Sequence, residues 1–401
     1  MIGYPHNARL LHRLVAIGAT SVMLLGITAM TVSVAQADPG GSGPSPNANA
    51  YVSTHGTDTG TCPKSAPCAT INYAISVAPA GGTVLVEPGT YDQTVTILQS
   101  VNVIGSGPGN TTINGADTPA SGPTGVVNIG SDPTVISGPV QVSGFTITNP
   151  VADVSNGGEP FAVVLLDKNA TNAVTITDNV ITEGRADSGR STDAPVGIWS
   201  YHSDPGGNTV ISDNTIDGFF QGALLEDNGP VAVTGNTFQN MVSCGAGTSC
   251  ASTYPGEGLF FLSDQGTSLT QQNATSNVFQ DYAGYGISDG AGYPGGYIGS
   301  ISGALTDNSF DLQGAVGDQA AAFAGAAAIY LSSDGAGSGL ALTVDENDGS
   351  TTSPSDAIDI SATNGGSTSI SEQNNDIRVL PGGQPGHHGP GEPPLPHGFH
   401  H

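Results

Sequence analysis

Val174–Thr175–Ile176–Thr177–Asp178–Asn179–Val180–Ile181 is one line of a repeated text. Apolar and small polar residues alternate through the first four positions, the pattern of a strand with one buried face. Asp–Asn then interrupts the run before a second short strand begins. The same text returns as Val210–Ile211–Ser212–Asp213–Asn214–Thr215–Ile216 and as Val231–Ala232–Val233–Thr234–Gly235–Asn236–Thr237–Phe238. It returns again as Asn277–Val278–Phe279 and as Leu305–Thr306–Asp307–Asn308–Ser309–Phe310. Asn179, Asn214, Asn236, Asn277 and Asn308 stand 35, 22, 41 and 31 residues apart, a range that fits stacked repeats and is too irregular for helical solenoids. A coil of fixed length with loops of variable length accounts for the spread. In such a stack, Asn at one bend can hydrogen-bond the Asn above and below. The five positions are therefore expected to form a structural ladder, with Asn347 and Asn374 as further members.

Composition agrees with many short strands and turns. Glycine supplies 59 of 401 residues and charged residues only 10 %, while apolar residues still make up 37 %. That balance excludes a disordered polyanion and leaves little material for long helices. A chain of this length can bury a long core as one elongated domain.

The N-terminus reads as an export signal. His6, Arg9, His12 and Arg13 precede an apolar stretch from Leu14 to about Val34, and Ala35–Gln36–Ala37 supplies an A-x-A cleavage site ahead of Asp38. Residues 1–37 are thus expected to be a signal peptide and the protein to be secreted, extracellular or on the cell surface, with no membrane association after cleavage. Loss of Arg9 and Arg13 leaves five Lys or Arg against 34 Asp or Glu, a net charge near −29. Such a surface repels nucleic acid, and it repels polyanionic glycans unless cations bridge the two.

Cys62 and Cys68, and Cys244 and Cys250, form two pairs of identical spacing around turn-rich segments. In an exported chain these read as two local disulfides, each contributing about 2–3 kcal/mol at best by loop entropy. Residues 38–50 read as a flexible leader and 381–401 as a disordered Pro/Gly/His-rich tail. Between them, 51–380 form the solenoid. Ile71, Ala74, Ile75 and Ala78 have helical spacing, which predicts a short amphipathic helix that caps the N-terminal end.

The order Tyr51–Val52–Ser53, Ala69–Thr70–Ile71, Gly81–Gly82–Thr83–Val84 and Val86–Glu87–Pro88–Gly89–Thr90–Tyr91 resembles the opening of secreted right-handed parallel β-helix proteins, the pectate-lyase-like group. Val142–Ser143–Gly144–Phe145–Thr146–Ile147 resembles that group's coil motif. The resemblance implies an all-β, right-handed parallel β-helix solenoid over roughly 51–380. It leaves activity open, since the group spans lyases, hydrolases, esterases, epimerases, adhesins and phage tailspikes.

Two features carry candidate chemistry. The first is a series of acids near strand ends: Asp167, Asp204, Glu226–Asp227, Asp264, Asp289 and Asp334. Asp is a good turn residue, and if these carboxylates align, Asp167, Asp204 and Asp227 could hold Ca²⁺, which takes hard oxygen ligands. The second is a cluster of scarce cations, Lys168, Arg185 and Arg190, followed by Trp199, Tyr201 and His202. β-Elimination on a polysaccharide needs a base and a cation that stabilises the enolate-like intermediate. On analogy with β-helix lyases, Lys168, Arg185 and His202 are the catalytic candidates. Trp199, Tyr201 and Arg190 are candidates for contact with the sugar; Trp199 could equally fill the core, since strand alternation puts it and Tyr201 on one face. Polygalacturonase-like hydrolases need an adjacent Asp pair, and no Asp–Asp dipeptide occurs. The poverty of cations favours a non-catalytic surface, adhesion or binding protein that contacts extracellular or cell-wall polysaccharide, over a lyase or related glycan-active enzyme. The glycan and the oligomeric state are not legible.

Overall fold

The computed structural model describes residues 48–115, 125–130, 135–148, 162–167, 173–183, 196–201, 207–226, 229–241, 256–263, 266, 268–280, 284–292, 297–311, 327–351 and 357–379, with only the backbone of Asp167 and Tyr201. Among them, three sheets run the length of the structure, every strand pair parallel. Sheet 1 has eleven strands, from Ala50–Val52 to Ser367–Gln373; sheet 2 has ten, from Gly89–Asp92 to Asp376–Val379; sheet 3 has nine, from Val95–Ile97 to Ile358–Thr363. Each coil visits them in the order 1, 2, 3 and rises to the next, so the chain is a right-handed parallel β-helix.

The quoted line shows how sequence builds a coil. In Val174–Thr177, Val174 and Ile176 are buried while Thr175 and Thr177 are not. Asp178 then adopts φ 54°, left-handed backbone that Asp and Asn enter more readily than other non-glycine residues. That turn delivers Asn179 to the interior and starts Val180–Thr182, with Ile181 buried. The residue before the inward Asn is left-handed in each later coil too: Asp213, Gly235, Ser276, Asp307, Glu346 and Asn374.

The inward asparagines form the ladder. Asn179 Nδ2 donates to Asn214 Oδ1 at 3.1 Å, Asn214 to Asn236 at 2.9 Å, Asn236 to Asn277 at 3.0 Å and Asn277 to Asn308 at 3.0 Å. Asn308 continues to Asn347 and Asn347 to Asn375, both at 2.9 Å. The last rung is Asn375, not Asn374: Asn374 occupies the left-handed turn and donates outside the ladder to Asp345 Oδ1. From Asn214 onward each Oδ1 also accepts the backbone N–H of the Asn below, as from Asn214 to Asn236 at 3.0 Å, while Asn179 Oδ1 accepts the Phe145 N–H at 3.1 Å. Amides that would otherwise be orphaned in an apolar interior are thereby satisfied.

The core is columnar. Ile147, Ile181, Ile216, Phe238, Phe279 and Phe310 occupy one register column of sheet 2. The three phenylalanines stack with centroids 5.0 and 5.1 Å apart, the repeat of the coils themselves. Sheet 3 makes room for them with glycine. A Cβ on Gly222, Gly258 or Gly286 would lie 2.6 Å from the ring of Phe238, Phe279 or Phe310 respectively. Where the ring column ends at Gly349, the corresponding sheet 3 residue is Ala328; where Ile181 stands, it is Val163. Each of the three rings is accommodated by a sheet 3 residue that lacks a side chain, as close packing requires. The glycine content of the chain thus has a packing cause besides turns.

The helix spans Ile71–Val77 and buries Ile71, Ala74 and Ile75. Thr70 is its N-cap, its hydroxyl accepting from the Tyr73 N–H at 3.2 Å, and Asp58 fixes Thr70 through the Ala69 and Thr70 amides. The helix packs against strands Ala50–Val52, Gly82–Val86 and Val95–Ile97. The Cys62–Cys68 disulfide closes the loop before it, and both cysteines are buried; Cys244 and Cys250 lie outside the described residues. Among the described residues no helix is long and apolar enough to cross a membrane.

Candidate functional site

Sheet 3 differs from the other two because its outward face is also buried along much of its length. Strand Glu257–Ser263 is buried at all seven positions. Leu259 and Phe261 point into the axial core, while Phe260 and Leu262 join a separate cluster with Ala162, Leu165, Val196, Trp199 and Leu224. The register carries one outward column through Leu165, Trp199, Leu224, Phe260, Ser288, Tyr330 and Asp359. A neighbouring column runs Ala162, Val196, Gln221, Glu257, Tyr285. Both begin apolar and become polar and aromatic from Gln221 and Ser288 onward.

Trp199 is therefore outward-facing yet only 2 % exposed. It neither fills the axial core nor offers an open ring to a sugar. Open aromatic surface on this face lies further along, where half-buried Tyr285 and Tyr330 stack at 4.6 Å with an interplanar angle of 15°.

Beside that pair, Gln221 Nε2 donates to Glu257 Oε2 at 2.8 Å, both residues buried. Burial pushes the Glu257 carboxyl up to about 7, partly opposed by the Gln221 hydrogen bond and by the Ser288 hydroxyl. The Ser288 hydroxyl sits near the carboxylate without closing a well-formed hydrogen bond to it. A carboxyl with that poise can accept or donate a hydrogen bond near neutrality.

Among the described residues, the strand-end acids Glu226, Asp289 and Asp334 do not share one register column. Glu226 is in register with Leu262, whereas Asp289 is in register with Phe261 and Leu331, and Asp334 with Thr363. Asp289 thus points into the core, 1 % exposed, and neither carboxylate oxygen meets a hydrogen-bond partner among the described residues. Burial pushes it up to about 8. Asp334 accepts from Thr363 Oγ1 and from Asn364 Nδ2 at 2.6 Å. Equal positions relative to the end of each apolar run hid a difference of phase, which decides the face a strand residue takes.

Lys168, Arg185, Arg190, His202, Asp204 and Asp227 lie outside the described residues, and Asp167 is placed only as a strand residue in register with Tyr201. Among the described residues no group of three or more His, Cys, Asp or Glu could hold a metal ion. Gln221, Glu257, Tyr285, Ser288 and Tyr330 escaped the sequence reading; the signal that could have found them is the Gln/Glu opening of the two strands Gln221–Glu226 and Glu257–Ser263, unusual at the start of an otherwise apolar run.

Residues 53–243 match the profile of a family described as a protein of unknown function, DUF1565. No curated protein sequence matches the chain. Among solved structures it is similar to the pectin methylesterase PemA from Erwinia chrysanthemi, at 12 % identity and a TM-score of 0.35, covering 79 % of this chain and 81 % of that one. It is similar to the pectin methylesterase from Aspergillus niger at 12 % identity and a TM-score of 0.31, over 83 % and 87 % of the two chains. The Streptococcus pneumoniae surface protein and adhesin PfbA matches at 12 % identity and a TM-score of 0.33, over 76 % of this chain and 95 % of its own.

Proposed function

We propose that this is a secreted β-helix protein that binds extracellular carbohydrate without turning it over, using the outward face of sheet 3 around Tyr285, Tyr330, Glu257 and Gln221. The observation that carries the reading is the stacked, half-buried tyrosine pair next to a hydrogen-bonded amide–carboxyl pair. Aromatic faces pack on the apolar faces of sugars, and the buried Gln221–Glu257 pair lies next to that face, with Glu257 in register with Tyr285. The net charge near −29 left after signal removal directs the choice to neutral rather than polyanionic glycans.

A panel of immobilised neutral and uronate polysaccharides tests this directly. Retention on a neutral glycan is expected, weakened about tenfold or more by Tyr330→Ala, on the scale of a lost hot-spot aromatic, with the far-UV circular dichroism unchanged. No retention on any glycan would remove the carbohydrate reading, and retention indifferent to Tyr330→Ala would move the site elsewhere. The same panel followed by absorbance of unsaturated products tests the alternative, a metal-assisted polysaccharide lyase. Turnover lost in Lys168→Ala or Arg185→Ala, or on chelation of Ca²⁺ held by Asp167, Asp204 and Asp227, would replace binding with catalysis.

A further inference from the structure

The two ends of the β-helix are built differently. At the N-terminal end, helix Ile71–Val77 lies against Ala50–Val52 and Val95–Ile97, where sheets 1 and 3 begin. At the C-terminal end, the last coil has the sequence of an interior coil. Ile358 and Ile360 are in register with Ile329 and Leu331, and Ile370 with Leu342. Those three partners, one coil below, are at most 3 % exposed, whereas Ile358, Ile360, Ile370 and Ile377 are only partly buried and Val379 is 47 % exposed. The Asn ladder runs into this coil without a change of pattern, Asn375 taking its rung. Among the described residues, Ile358–Thr363, Ser367–Gln373 and Asp376–Val379 are the terminal strands of the three sheets at this end. Three open strand edges around an apolar centre are a template for further pairing.

We propose that this end is a self-association surface through which two copies of the chain join C-terminal end to C-terminal end. An occupant that satisfies three edges at once must present three strands arranged around a core of the same section, which another coil of this protein does. A head-to-tail stack would need the N-terminal end, where the helix stands in the way, so the contact is between like ends across a two-fold axis. Strand Ser367–Gln373 then meets its own copy antiparallel. The chain's own tail is a poor substitute. Residues 381–401 include six prolines, which cannot donate to a ladder. Asp359, Glu372 and Asp376 stand against a single guanidinium, Arg378, on this coil, so like charges meet in the dimer and salt strengthens it.

Sedimentation and small-angle scattering of the purified protein across a concentration and salt series provide the test. The expected result is a doubling of mass at high concentration, favoured by salt, with a maximum dimension close to twice that of the monomer. Ile370→Lys should abolish the doubling, because this position opens to solvent at the end of a monomer but is enclosed between two copies. Its thermal midpoint at low concentration should stay close to that of the parent. A mass that never doubles, a doubling that survives Ile370→Lys, or a dimer no longer than the monomer overturns the proposal. Removal of residues 381–401 distinguishes the remaining occupant: if the full chain is monomeric and only the shortened one dimerises, the tail covers the end and the second copy does not.

Discussion

Replacing Gly286 with alanine tests the packing that holds the coils at their spacing. The added Cβ would lie 2.6 and 2.7 Å from two ring carbons of Phe310 and 2.8 Å from the carbonyl oxygen of Ala328 in the next coil. Ordinary contact would need most of an ångström more. The ring cannot tip away freely, because it stacks on Phe279 at 5.1 Å. Overpacking of this kind costs about 3 kcal/mol, offset by roughly 0.7 kcal/mol from the stiffer unfolded chain, a net loss of about 2 kcal/mol. Phe310→Ile alone removes volume and should cost about 1–2 kcal/mol. The double variant sets Ala against Ile, close to the Val163 and Ile181 combination found earlier in the same columns, so its loss should be no more than about 1–2 kcal/mol, a coupling of roughly 2 kcal/mol. Urea unfolding followed by far-UV circular dichroism on all four proteins gives the cycle. Losses that add to within about 0.5 kcal/mol would show that glycine and ring do not share one space and would refute the reasoning.

Asn236→Ala should lower stability by about 3–5 kcal/mol. It strands the Asn214 backbone N–H and side-chain amide and the Ile211 carbonyl inside the core. Asn374→Gly, which keeps the left-handed turn outside the ladder, should be nearly neutral in the same thermal melts. Asp289 and Glu257 both have carboxyls raised by burial, to about 8 and about 7. In the folded state each holds its proton while the unfolded chain has released it, so stability should fall as pH rises from about 4 to about 8 and level off above. Asp289→Asn should flatten the upper part of that profile; an unchanged slope would show that Asp289 is not a buried acid. Replacing Cys62 and Cys68 with Ala should cost no more than about 2–3 kcal/mol, with faster hydrogen exchange confined to the coil that carries the helix.

The ladder and the coil were legible because their signals are local. A bend that needs a left-handed residue followed by an inward amide keeps Asn in each turn from Asn179 onward, most often as Asp–Asn, and the alternation around it names the buried face. The helix was legible for the same reason, from the spacing of Ile71, Ala74 and Ile75 and the break at Pro79. The candidate site was not. Gln221 and Glu257 are 36 residues apart, and nothing near either one announces the other. The acids read as a column share a place at the end of an apolar run, yet a shift of one residue sends Asp289 inward and Ser288 outward.

By itself the sequence determined that the chain winds, where each coil bends and which side chains line the interior bend, because those outcomes depend on neighbours along the chain. Only the tertiary structure decided that Asn375 and not Asn374 takes the last rung, that Trp199 is buried away from the axis, and that each stacked phenylalanine faces a glycine. It alone placed Tyr285 and Tyr330 against one another beside Glu257. Those outcomes depend on the register between coils, which loops of unequal length conceal and which the packing of whole columns fixes.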